Sequence, residues 1–83
     1  MKKIYYFSAG WCQPCHAFKP TINSARQQGI NIVDVDVDSN QELANRYGIR
    51  SIPTILLVDE AGNKLKDKLV GVQSLQTLIN YYG

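Results

Sequence analysis

Apolar positions fall into short runs separated by polar and glycine-containing breaks, and each run has its own period. KIYYF (Lys3 to Phe7) is aromatic and apolar, the pattern of a buried strand. Ser8-Ala9-Gly10 ends it. Phe18, Ile22 and Ala25 then recur at helical spacing, which predicts a helix from near Cys12 to a stop at Gly29. Pro14 suits its first turn, where an amide would be unpaired anyway. Pro20 falls inside this helix, removes the backbone bond to the residue four earlier and predicts a kink.

INIVDVDVD (Ile30 to Asp38) ends in strict alternation of Val33, Val35 and Val37 with Asp34, Asp36 and Asp38, which is a strand. Ser39 followed by Glu42 forms a capping-box pattern, opening a short helix that Gly48 closes. TILLV (Thr54 to Val58) is a third strand. DEAGNK (Asp59 to Lys64) is rich in turn formers, so a hairpin should lead into a fourth strand from Leu65 to Val70, ended by Gly71. Ser74 can cap a last helix with inner face Leu75, Leu78, Ile79 and Tyr82. The order is β-α-β-α-β-β-α, an α/β class. The first two strands should be parallel with a right-handed crossover, and the last two antiparallel.

Composition acts mainly by exclusion. A chain of 83 residues makes one domain with a single core. Nine Lys and Arg against seven Asp and Glu leave a net charge of +2, too little to attract nucleic acid or a membrane by field alone. No apolar run is long enough for a transmembrane span. The N-terminal MKKIYYFSAG faintly imitates a signal peptide, but its apolar part is short and is needed as a strand, so a cytoplasmic protein is expected. The two cysteines are too few for a secreted disulfide framework.

Those cysteines carry the chemistry. GWCQPCHAF (Gly10 to Phe18) places Cys12 and Cys15 three apart at a helix start. The first thiol then sits on free amides at the positive end of the helix dipole, which stabilises its thiolate, the nucleophilic form. The second lies about one turn on, close enough to attack a mixed disulfide and release the partner. Cys12 is therefore expected to attack and Cys15 to resolve, with Pro14 stiffening the turn between them. Zinc is set aside, because one cysteine pair and His16 fall short of the usual four ligands. A purely structural disulfide does not suit a reducing cytosol. His16 reads as a solvent-facing group whose positive charge would favour the Cys12 thiolate, and Trp11 as part of a flat apolar contact surface.

WCQPC (Trp11 to Cys15) resembles the active site of the thioredoxin family. YGIRSIPTILL (Tyr47 to Leu57) resembles that family's segment around a cis-proline, and Val70-Gly71 its glycine beside the active site. Pro20 stands where the family has a helix-kinking proline. The resemblance covers essentially the whole chain, as a single thioredoxin-like domain over residues 1–83. It implies a minimal thioredoxin fold, a four-stranded mixed sheet with helices on both faces, and a cis Ile52–Pro53 bond packed beside the sulfurs. A target segment would add to the backbone of Ile52 as an extra strand, against Trp11, Gln13, Pro14 and Pro53. Gly71, lacking a side chain, would let the partner backbone approach.

Departures from the family pattern are informative. The chain is short: it lacks the strand and helix that precede the active-site strand in typical thioredoxins, which brings its architecture closer to glutaredoxins. Gln13 replaces the usual glycine after the first cysteine, at a position that tunes redox potential. Tyr6 stands where the family has a buried Asp that moves a proton to or from the resolving thiol, and Asp34 stands where it has a Lys. One reading is that the carboxylate has crossed over, so that Asp34 accepts the Cys15 proton. Alternation puts Asp34 on the face of Ile30 and Ile32, which predicts a partly buried site where it would be a better base. The other reading is a solvated strand Asp, or a partner of Tyr6.

The resemblance implies a thiol–disulfide oxidoreductase that reduces disulfide-containing proteins. No cofactor is expected beyond a redox-active Cys12–Cys15 disulfide, and no metal. A thioredoxin-reductase-like protein or glutathione would re-reduce it, and a monomer is the default expectation. The alternatives are a glutathione-coupled, glutaredoxin-like enzyme, for which Lys19 and Arg50 could hold carboxylates, and a non-catalytic binding module on the same fold.

Overall fold

The computed structural model describes residues 1–83. Its elements are β1 (Lys3–Ser8), α1 (Gln13–Gln27), β2 (Ile32–Asp36), α2 (Gln41–Arg46), β3 (Thr54–Val58), β4 (Leu69–Val70) and α3 (Leu75–Tyr82). The strands form one sheet in the order β2-β1-β3-β4. β1 runs parallel to β2 and antiparallel to β3, and β4 is antiparallel to β3.

The unbroken apolar character of β1 and β3 follows from burial on both faces. Ile4, Tyr6, Ile32, Ile55 and Leu57 meet Phe18, Ile22 and Ala25 of α1 and Leu78 and Tyr81 of α3 on one face. On the other, Phe7, Val35, Leu56 and Val58 meet Leu43 of α2 with Tyr47 and Ile49 just after it. Helices therefore cover both faces, with α1 and α3 together and α2 opposite. Phe18 has no exposed surface and stands edge-on to Tyr6 at a centroid distance of 5.6 Å. This pair ties α1 to the central strand.

Helix ends follow the local chemistry with one exception. Gly29 (φ 89°) follows the α1 terminus, and Ser74 caps α3 by accepting the Thr77 amide at 3.1 Å. At α2, however, the residue at the cap is Asn40, not Ser39, and its side chain makes no capping bond. The Asn40 amide instead donates to the Asp36 carbonyl at 3.0 Å, holding the turn out of β2. α1 runs unbroken through Pro20.

The expected fourth strand is cut down to Leu69–Val70. A lone bridge joins Val58 to Lys64, and the intervening segment leaves the sheet. There the Tyr81 hydroxyl takes over the pairing: it accepts the Leu57 amide at 2.9 Å and donates to the Asp67 carbonyl at 2.8 Å. Tyr81, with Leu78, is thus a buried residue of α3, while Leu75, Ile79 and Tyr82 are only partly buried at its border.

Candidate active site

The site is assembled where β1 ends. Ala9 and Gly10 turn the chain, with the Cys12 amide bonded to the Ala9 carbonyl at 3.2 Å, and α1 begins immediately after. Cys12 is the N-cap of α1: its sulfur accepts the Cys15 amide at 3.2 Å, one of the donors a helix start leaves free. Pro14 occupies the first turn, as its missing amide allows. Cys12 and Cys15 are joined in a disulfide with their Cα atoms 5.3 Å apart. Both are nearly covered and pack with Ala9 against Val37 and Ile52.

Three stretches far apart in the chain meet at the sulfurs. The Ile52–Pro53 bond is cis. Sγ of Cys12 lies 3.9 Å from the Ile52 carbonyl oxygen, a contact that becomes a weak hydrogen bond only when the sulfur carries a proton. Pro53 is buried, and its carbonyl accepts the Gly71 amide at 2.8 Å, which places residues 70–72 beside the Pro53 loop. Gly71 has φ 91°, and nothing lies within 4 Å of where its Cβ would be, so it faces open space. Val70 and Val72 on either side are more than half exposed, as is Trp11 at 69%. Gln13 and Pro14 are exposed between the cysteines.

One cavity borders Trp11 and Ile52 and another borders Cys15 itself. An apolar hollow of about 380 Å³ lies between Trp11, Val37, Ala44, Ile49 and Ile52, with Arg50 at its edge. The second, a cleft of about 260 Å³, is lined by Tyr6, Ser8, Cys15, His16, Lys19, Asp34 and Asp36. His16 is exposed and its Nε2 sits 2.7 Å from the Gly10 carbonyl, so the imidazole braces the turn ahead of Cys12. Lys19 borders the Cys15 cleft and Arg50 the apolar hollow.

Asp34 does share the cleft with Cys15, on the Tyr6 face of the sheet, but it is not partly buried as the alternation predicts. Its side chain is 61% exposed and pairs with Arg26 at 3.2 Å. Alternation sets which face a residue takes. Burial also depends on position in the sheet, and β2 is one of its two edge strands. Tyr6 is the buried polar group under the site: it is 1% exposed, and its hydroxyl donates to the Cys15 carbonyl at 2.8 Å. Burial first, then the charge of Asp34, push the Tyr6 phenol above its ordinary value.

Asp38 had no assigned role from the sequence, yet its Oδ2 accepts the Trp11 indole N–H at 3.0 Å. No group of three or more His, Cys, Asp or Glu side chains is placed to hold a metal ion. No helix is long and apolar enough to cross a membrane.

The family model described as thioredoxin matches residues 2–82. The chain is 38% identical over 80 residues to a thioredoxin of Bacillus subtilis, covering 89% of this chain and 75% of that protein. It is 41% identical over 75 residues to thioredoxin 1 of a Nostoc species, covering 87% and 68%. Among solved structures, a mutant thioredoxin from Halobacterium salinarum superimposes with a TM-score of 0.87 at 32% identity, over 98% of this chain and 71% of that one. The family's chemistry needs no cofactor beyond its redox-active disulfide, and its members imply disulfide-containing substrates and a reductase as electron donor. With the match running nearly end to end and the sulfurs joined at the start of α1, the chain belongs to the thioredoxin family and is a thiol–disulfide oxidoreductase.

Proposed function

We propose that the protein reduces disulfides of other proteins as a monomer in the cytoplasm, with Cys12 as nucleophile, Cys15 as resolving thiol and Asp34 as acceptor of the Cys15 proton. The carrying observation is the Cys12 sulfur 3.9 Å from the carbonyl of Ile52, at the cis Ile52–Pro53 bond, with Trp11 exposed next to it in the chain. An extended target segment can pair with the backbone at Ile52 and present its sulfur to Cys12, while Gln13, Pro14, Pro53 and Gly71 complete the docking surface. Asp34 is supported by its place in the cleft that Cys15 also lines. A reducing compartment such as the cytoplasm keeps a pair of this kind in its dithiol form.

The donor that fits best is a dithiol reductase of the thioredoxin-reductase kind. The support for this donor is the likeness to thioredoxins of Bacillus subtilis and Nostoc. Lys19 and Arg50, the basic residues a glutathione site could use, border two different cavities.

The test is insulin reduction, followed with NADPH and thioredoxin reductase and, separately, with NADPH, glutathione and glutathione reductase. Turnover should be faster in the first system. Cys15→Ser should trap a mixed disulfide with the target, and Cys12→Ser should not. Faster turnover with glutathione would reverse the choice of donor, and no turnover in either system would leave a binding module.

A further inference from the structure

The cleft beside Cys15 holds one buried hydroxyl that the reaction as described does not use. The Tyr6 ring is locked by burial and by the edge-on contact with Phe18, so its hydroxyl has a defined position. Its single hydrogen is committed to the Cys15 carbonyl. A phenol that donates its only proton can offer a neighbour only its lone pairs. Tyr6 and Asp34 are register partners on adjacent parallel strands, and the cleft they share with Cys15 has about 260 Å³, room for several waters.

We infer that Tyr6 is a positioning residue for the resolving step: its hydroxyl pins the first turn of α1 and orients the cleft water that carries the Cys15 proton to Asp34. This rests on the proposed roles of Cys15 and Asp34. In that step the Cys15 thiol gives its proton to the water held on the Tyr6 oxygen, and a proton passes from that water to the Asp34 carboxylate. The sulfur electron pair then attacks Cys12, the bond between Cys12 and the target sulfur breaks, and the target leaves as a thiolate that takes up a proton. Two target thiols form as Cys12 and Cys15 become a disulfide. Tyr6 gains and loses nothing. Burial keeps its phenol protonated throughout, and the Asp34 charge adds to this until that carboxylate takes up the proton. The other charged or titratable groups around the cleft are His16 and Lys19 of α1 and Asp36 of β2, with Arg26 paired to Asp34.

The experiment is rapid mixing of the reduced protein with a nitrobenzoate disulfide whose released thiolate absorbs visible light. The first release reports attack by Cys12, and the second reports resolution by Cys15. Tyr6→Phe keeps the ring and removes the hydroxyl. It should leave the first release unchanged and slow the second roughly three- to tenfold, the range that one lost hydrogen bond covers. The pH dependence of the second release should change with it. Asp34→Asn should slow the same phase, and the double variant should be no slower than the worse single variant, because both act on one path. A second release at the wild-type rate in Tyr6→Phe, or slowing that multiplies in the double variant, overturns the inference. If Tyr6→Phe does not fold, solvent deuterium decides: it should slow the second release in the wild type and slow it less in Asp34→Asn, and equal slowing in both overturns the inference. A wild type with no second release would instead count against the proposed reaction itself.

Discussion

The Tyr81 hydroxyl stands in for a strand: it accepts the amide of Leu57, in β3, at 2.9 Å and donates its own hydrogen to the Asp67 carbonyl. Tyr81→Phe preserves the ring and removes both bonds, leaving the Leu57 amide buried without a partner. Stability should fall by about 1–3 kcal/mol. For a domain of this size that lowers Tm by about 4–8 °C per kcal/mol. Urea titration of the oxidised protein measures the loss, and disulfide reduction should continue at the wild-type rate.

Stability should also fall in alkali, for a reason shared by two tyrosines. Burial, the leading cause in each, raises the phenols of Tyr6 and Tyr81 above 10.0. Both hold their protons more tightly in the folded protein than in the unfolded chain. Their contribution is therefore complete below the unfolded value and is lost as pH rises through the folded ones. Urea midpoints should be flat to about pH 9 and drop towards about pH 11. Tyr6→Phe and Tyr81→Phe should each drop less over that interval than the wild type, and parallel curves would refute the assignment.

Gly71 couples backbone conformation to docking. At φ 91° an alanine is strained although no atom crowds its Cβ, so Gly71→Ala should cost about 1–2 kcal/mol of stability. The added methyl group points into open space beside the Pro53 loop. KM for a protein disulfide should rise while the rate with a small aromatic disulfide stays near wild type. An unchanged KM would show that targets do not approach over Gly71.

Trp11 is exposed, so truncating it should barely affect folding, within about 0.5 kcal/mol. Trp11→Ala should raise KM for insulin at least roughly tenfold, as loss of an aromatic anchor does at interfaces. Asp38→Ala, which only frees the indole from its 3.0 Å bond, should give a smaller rise.

The legible parts of this molecule are those whose cause is local. The Cys12–Cys15 spacing reads directly because resolution requires one helical turn between the sulfurs. β1 and β3 read as apolar runs because both their faces are covered. Ser74 reads as a cap because it bonds three residues ahead. What stayed hidden depends on partners distant in sequence. The Tyr81–Leu57 bond spans 24 positions and shortens β4, and the Trp11–Asp38 bond spans 27. The face of Asp34 followed from alternation, but its exposure followed from strand order, which no local period encodes.

Trp11 is the only tryptophan in the chain, and it immediately precedes the attacking sulfur. An excited indole beside a disulfide loses its emission by electron transfer into the sulfur–sulfur bond, and reduction removes that acceptor. Emission of the reduced protein is therefore expected to exceed that of the oxidised protein, and equal emission from the two would show that the Trp11 indole does not sense the Cys12–Cys15 bond. A titration against a redox buffer can be read by light alone, in unlabelled and unmodified protein.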